Sequence, residues 1–405
     1  MQVGVRREQR AGERRVAATP ETVRQLAALG LDVVVESGAG MESGYPDAAY
    51  KEAGATTIAE LPPETLDVLL HVRPLSPEFA ATLRPGTVTI GFASPASELP
   101  TVRALAAGRI TSFALELVPR ISRAQSMDAL SSQSLVSGYR AVLEAALRYP
   151  RFFPLYMTAA GTIPPARVLV LGAGVAGLQA IGTAKRLGAR VSANDIRAAS
   201  ADEVASMGGT FINLDLDAPA EGTGGYAREL GEDRARRQRG LLTPHVAAAD
   251  VLITTAAIPG RAAPLLVTMD MVTGMRAGSV VVDLAAESGG NVEGVIAGRD
   301  VQVPVVGGCV TLVGLQDAAS TMPSDASRLY AKNVSNLLAL MTHDGQVRPD
   351  FEDEVVSGAC LTRAGSVQHA ATASALAASA LAASALAASA LAASDLAALK
   401  EGEQP

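Results

Sequence analysis

Residues 167–197 read RVLVLGAGVAGLQAIGTAKRLGARVSANDIR, and this stretch decides the fold. Val168–Leu171 is an unbroken apolar run ending on Gly172, Gly174 and Gly177; a helix-like segment then leads to a second run that ends at Asn194 and Asp195. The order strand, tight turn, helix, strand opens a doubly wound parallel sheet. In the G-x-G-x-x-G spacing Gly172 permits the turn, Gly174 lets backbone approach a pyrophosphate, and Gly177 lets the helix pack closely on the strand. Val175 and Ala176 share the first helical turn, whose unpaired N–H groups and positive dipole end favour phosphate. Asp195, about 20 residues on, can accept hydrogen bonds from an adenosine ribose and would repel a 2′-phosphate. NAD(H) is therefore expected rather than NADP(H), with Ile196 and Arg197 at the same strand end. An unliganded α/β crossover shares the glycines, but strand, helix and acid together favour a dinucleotide.

The 405 residues are 48% hydrophobic with 38 glycines and 22 prolines, which suits an α/β protein of two or three domains. A net charge of −7 gives no sign of a nucleic-acid surface. Cys309 and Cys360 lack a C-x-x-C spacing, so both are expected as small buried residues, and no metal site is expected. The opening MQVGVRREQRAGERR has no apolar segment after its charges and does not read as a secretory signal. Lysine is confined to Lys51, Lys185, Lys332 and Lys400, and histidine to His71, His245, His343 and His369, which limits the available acid–base groups.

Towards the N-terminus, Thr19-Pro20-Glu21 starts a helix that stops at Gly30. Strands are expected at 2–5, 31–36, 68–72, 87–92 and 110–114, with a helix at 99–107, so the first 115 residues or so form one α/β unit. Between Arg120 and Ser134, arginines, glutamines, an acid and serines crowd a segment that feeds a helix expected over 135–149. Taken alone, such a loop is usually a solvated connection.

Beyond Arg197 the pattern gives strands at 208–212, 250–255, 279–284 and 301–306, and a returning helix over 325–341. Thr255 and Ala256 stand at a strand's carboxyl end, where open α/β sheets bind ligands. The tail from Ala371 repeats Ala-Leu-Ala-Ala-Ser; its leucines advance about 140° per step on a helix and make no single apolar face. It reads as a low-complexity helix or linker rather than a membrane span, and the ordered fold is expected to end near residue 370.

The opening RREQRAGERRVAATPETV resembles the start shared by alanine dehydrogenase and the NAD(H)-binding component, domain I, of proton-translocating transhydrogenase. PRISRAQSMDALSSQS, GYRAV and MTAAGTIPPARVLVLGAGVAGLQAIGTAKRLGA resemble domain I specifically, and the likeness spans residues 2–370 or so. It implies that the polar loop lies beside the nicotinamide, with Arg120, Gln125, Asp128 and Ser131 as its site residues, and that Tyr226 closes over the nucleotide from a mobile loop. It further implies a homodimer on the cytoplasmic face of the membrane and NADP(H) held by partner subunits, of which one set spans the membrane. Leu230, where some relatives have methionine, and LQDAASTMPSDAS at 315–327 depart from the pattern.

Alanine dehydrogenases use an arginine, a lysine and a histidine in the first domain. Arg15 matches the arginine, but Arg73 stands at the lysine position in HVRPLSPEF, and TIGFASPAS holds no histidine. A guanidinium cannot release a proton near neutral pH. The expected architecture is two Rossmann-like doubly wound parallel-sheet domains facing across a cleft: 1–134 plus 325–370, and 135–324, with 371–405 as tail. The expected function is hydride transfer from NADH to NADP⁺ on a partner. A soluble amino-acid dehydrogenase and an NAD(H)-sensing module are the alternatives.

Overall fold

The computed structural model describes residues 1–197, 199–214, 231–257 and 260–382. Tyr226 and Leu230 lie outside the described residues. Two large sheets dominate. The first holds β1 (Gln2–Val5), β2 (Asp32–Glu36), β3 (Thr56–Ile58), β4 (Val68–Leu70), β5 (Val88–Gly91) and β6 (Thr111–Ala114), all parallel. A separate two-stranded hairpin, β7 (Tyr156–Thr158) and β8 (Gly161–Ile163), precedes the second sheet. That sheet holds β9 (Arg167–Leu171), β10 (Arg190–Asn194), β11 (Thr210–Phe211), β12 (Val251–Thr254), β13 (Val280–Asp283), β14 (Asp300–Val305) and β15 (Gly308–Gly314). A short hairpin, β16 (Thr342–His343) and β17 (Gln346–Val347), follows, and β18 (Cys360–Arg363) and β19 (Ser366–Val367) then return to the edge of the first sheet.

The strand orders are β19-β18-β6-β5-β4-β1-β2-β3 and β11-β10-β9-β12-β13-β15-β14. Each sheet winds outward in both directions from one central pair, so each has a topological switch point: between β1 and β4, and between β9 and β12. Neither sheet is wholly parallel. β18 joins antiparallel to β6, and β14 runs antiparallel to β15. The valines at 301–305 do form a strand, but the parallel ladder to β13 is carried by β15, which the glycine-bearing GGCVTLVG sequence conceals. Cys360 is buried as expected; Cys309 is exposed, because it stands at the start of β15 beside the tip of that edge hairpin.

The apolar runs are unbroken because both faces of each sheet are covered. On β9, Val168 and Val170 pack under the helices Ala129–Arg148 (α5) and Val175–Arg186 (α6), while Leu169 and Leu171 face Leu242, Val246 and Met271 on the opposite side. The same alternation places Val68 and Leu70 on one face of the first sheet and Leu69 on the other. Helix α5 starts at Ala129, earlier than periodicity predicts, because Asp128 caps it: its carboxylate accepts from Ser131 N–H at 2.8 Å and Ser131 Oγ–H at 2.6 Å. The helix Pro323–Leu340 returns the chain to the first sheet, with Tyr330, Val334 and Leu337 in its core. Residues 370–382 continue as a helix beyond the expected end of the fold, with Thr372 buried and Leu376 packed beside Val102, Ala114 and Leu361.

Candidate functional site

The glycine-rich turn lies at the second sheet's switch point. Gly172 has φ +97°, a left-handed conformation, and a Cβ there would lie 2.7 Å from Thr255 Oγ1. A Cβ on Gly177 would lie 1.9 Å from the carbonyl oxygen of Gly172. Gly174, in contrast, faces open space and precedes α6 with no side-chain cap, so the first-turn amides of Val175, Ala176 and Gly177 point to the mouth of the crevice. That is what close approach of a pyrophosphate requires. Thr255 donates its hydroxyl to Gly172 O at 3.0 Å and so ties the ends of β9 and β12 together.

Asp195 stands at the end of β10 with both oxygens engaged. They accept from Ala173 N–H at 2.7 Å and from the backbone N–H, Nε and Nη2 of Arg197 at 2.9, 3.0 and 3.0 Å. Burial raises the carboxyl pKa, but these donors outweigh it and leave it below the usual value. A carboxylate offers about four acceptor positions, so a ribose hydroxyl reaches Asp195 only by taking the place of an Arg197 donor. Ile196 is half-buried beside them.

A cavity of about 170 Å³ lies on the far side of the turn, lined by Ser134, Ser137, Ala176, Thr255, Ala257, Leu284, Glu287, Leu315 and Ala318. Its walls come from α5, the start of α6 and the loops after β12, β13 and β15. Gly138 makes this possible: a Cβ there would fall 2.1 Å from Ala176 O, so α5 crosses directly on the first turn of α6. Ala256 is fixed by buried Asn291, which accepts from its N–H at 3.0 Å and donates to its carbonyl at 2.8 Å. Asp283 in turn accepts from Asn291 N–H at 2.6 Å, and burial pushes its carboxyl pKa up.

The polar loop is a 3₁₀ turn, Ser122–Met127, that leads into α5. Arg123 holds Asp353 through two bonds of 2.8 and 2.9 Å, and Asn333 and Asn336 both donate to Ser126 O. Arg120 and Gln125 are exposed, whereas Asp128 and Ser131 are bonded to each other as the helix cap. None of these four residues lines the cavity; Ser134 and Ser137, one turn further along α5, do. Sequence reasoning misses Ser137, Gly138, Asn291 and Glu287. The GYRAV segment and the Gly-Gly-Asn after β13 are the signals that could have found them.

At the first sheet's switch point the loops after β1 and β4 carry a charged cluster. Glu13 accepts from Arg15 Nε and Nη2 at 2.8 and 2.6 Å and from Arg73 Nε at 2.6 Å. Burial would raise the Glu13 pKa, but the Arg15 and Arg73 contacts outweigh it and bring it to about 2. Arg15 also donates to Gln133 Oε1 at 2.9 Å, and Arg73 pairs with Asp317. Glu8 accepts from Val72 and Arg73 N–H, and burial together with the neighbouring Glu13 raises its pKa to about 7. His71 is buried, with Nδ1 2.7 Å from Arg73 O, and burial lowers its pKa to about 4. Lys51 is exposed on the helix Asp47–Glu52.

Two switch points, a glycine turn opening on an uncapped helix and an acid on the adjacent strand define a two-domain dinucleotide-binding α/β protein. Family models described as alanine dehydrogenase/PNT, N-terminal domain, and alanine dehydrogenase/PNT, C-terminal domain, match residues 4–137 and 141–370. The chain belongs to the alanine dehydrogenase/PNT family. It is 46% identical over 383 residues to an NAD(P) transhydrogenase subunit alpha chain of Rhodospirillum rubrum, covering 92% of this chain and 98% of that one. Identity to the alanine dehydrogenase of Bacillus subtilis is 33% over 298 residues, 72% of each chain. The solved transhydrogenase structure from Sinorhizobium meliloti superposes with a TM-score of 0.80 at 44% identity, over 92% of this chain and 100% of the other.

Proposed function

We propose that the chain is the NAD(H)-binding component of a proton-translocating transhydrogenase. Bound NADH supplies the hydride, and NADP⁺ on a partner subunit receives it. The observation that carries this reading is the state of the first-domain face of the cleft. Arg15 and Arg73 are both committed to Glu13, and His71 is buried and held by a backbone carbonyl. A keto-acid reduction needs a cation for the substrate carboxylate and a proton donor for the reacting carbon's substituent. Hydride transfer between two nicotinamides needs neither; it needs close, aligned approach of the rings.

In this reading the amides of Gly174, Val175, Ala176 and Gly177 hold the pyrophosphate, and Asp195 with Ile196 and Arg197 holds the adenosine ribose. Thr255 and Ala256 border the nicotinamide half, and Tyr226 closes the site. Arg120 and Gln125 orient the ring at the partner-facing edge, while Asp128 and Ser131 shape their loop by capping α5. The two binding units are 1–134 with 325–370, and 135–324. Proton translocation resides on membrane subunits; among the described residues no helix is long and apolar enough to cross a membrane. The homodimer is supported by the hairpin β7–β8 and its approach, where Phe152, Leu155, Tyr156 and Met157 are all exposed. The subunit would then sit on the cytoplasmic face of the membrane through its partners. Reconstitution with the partner subunits, followed by hydride transfer from NADH to an NADP⁺ analogue, tests the proposal. NADH oxidation driven by pyruvate and ammonium would favour the dehydrogenase instead.

A further inference from the structure

In open α/β sheets the crevice at the switch point is where ligands bind. The second sheet's crevice is open; the first sheet's is filled by the chain's own charges. Those charges reach across to the cavity wall at three points. Arg73 pairs with Asp317, which has a left-handed backbone at φ 47° and bonds through its N–H to Glu287 Oε2 at 2.9 Å. Arg10 stands 3.8 Å from the other oxygen of Glu287. Ser320 Oγ accepts from Arg14 N–H at 2.7 Å and lies 2.8 Å from Gly12 O and 3.0 Å from Glu13 Oε1. Glu287 lines the cavity, and Ala318 lies between Asp317 and Ser320 on the same wall.

We infer that Glu13 is a positioning residue: it holds Arg15 and Arg73 in a clasp that fixes the Glu287–Ser320 wall of the nucleotide cavity against the first domain. Within this set Glu13 alone touches both arginines and Ser320, and its side chain is fully buried. Removing its carboxylate leaves buried Arg15 without its anionic partner and Arg73 with Asp317 alone, so the loop after β15 loses its anchor. The wall lies on the β12 and β13 side of the crevice, opposite Asp195, and so borders the nicotinamide half. Adenosine and pyrophosphate are held by residues the clasp does not touch. The inference rests on the hydride-transfer reading for its kinetic consequence, but not for its effect on the bound ring.

The test uses Glu13→Ala in the full chain, read first by the emission of bound NADH, which reports the surroundings of the reduced ring, and then by turnover with the partner subunits. The expected result is bound-NADH emission shifted towards that of free NADH, a Kd within about threefold of wild type, and turnover at saturating NADH lowered about tenfold or more. Acetate, which matches the excised fragment, should restore both emission and turnover. Unchanged emission and turnover in the folded variant overturn the clasp, as does a loss of affinity as large as the loss of turnover, or acetate that raises thermal stability without restoring the ring signal. If Glu13→Ala does not fold, Asp317→Asn and Ser320→Ala cut single strands of the clasp and must give the same split at smaller amplitude; wild-type values in both overturn it. Wild type that binds NADH but transfers no hydride would defeat the functional reading alone, and the emission experiment would still decide the clasp.

Discussion

The contact between Gly138 and Ala176 offers a sharp perturbation, because no side chain can absorb it. A Cβ at position 138 would lie 2.1 Å from Ala176 O, 2.8 Å from its carbonyl carbon and 2.9 Å from its Cα. An ordinary contact between carbon and oxygen needs a separation larger by roughly 1 Å, so in Gly138→Ala helices α5 and α6 must move apart by about that distance. Overpacking of this kind costs typically 1–3 kcal/mol, offset in part by the better helix propensity of alanine, about 1 kcal/mol. The melting temperature should therefore fall by roughly 2–6 °C. The larger effect is on the ligand: α6 carries its first-turn amides away from the phosphate position, and misaligning a helix terminus forfeits about 1–2 kcal/mol, roughly a tenfold rise in the NADH Kd. Titration of NADH fluorescence beside a calorimetric melt measures both. A variant with wild-type affinity and melting temperature would refute the packing role assigned to Gly138.

Three further outcomes are expected. Gln125→Asn should slow hydride transfer far more than it weakens NADH binding, since the side chain is exposed at the loop edge and outside the cavity wall; equal losses in single-turnover and equilibrium measurements would contradict a positioning role. Asp195→Asn removes the charge that neutralises Arg197 at 3.0 Å, so NADH affinity should fall and NADPH affinity rise, and competitive titration that finds both falling together would refute the specificity argument. Acid stability follows Glu13, whose folded pKa of about 2 is depressed below its unfolded value. Its contribution, about 3 kcal/mol by linkage, is complete above pH 4.3 or so and is lost as pH falls towards 2. Urea unfolding of wild type and Glu13→Gln across that window should converge at the acid end, and a constant difference would exclude the linkage.

The glycine turn and the strands around it are legible in the sequence because their pattern is local. An apolar run, three glycines and an acid sit within one unit whose geometry fixes their spacing, and the second sheet follows. The cavity wall is not legible, because its residues meet only through the sheet order: Ser137, Asn291 and Glu287 come from three separate elements. The same holds for the ion pairs of Arg15 and Arg73. The sequence shows which basic residues are present, but not that Glu13 and Asp317 neutralise them. The loop pattern points Asp128 at the nucleotide, whereas its hydrogen bonds assign it the cap of α5. The edge strands β14 and β15 escape the pattern because glycines at a hairpin tip hide the start of the inner strand.

Central to all of this is that the hydride acceptor is a second nucleotide rather than a small acid. Stopped-flow mixing of the NADH-loaded chain and its partner subunits with an oxidised NADP⁺ analogue, with pyruvate plus ammonium as the competing acceptor, measures that directly. Rapid reduction of the analogue with no oxidation by pyruvate and ammonium is the expected result; tight NADH binding with no transfer to the analogue, or turnover on the keto acid, would contradict it.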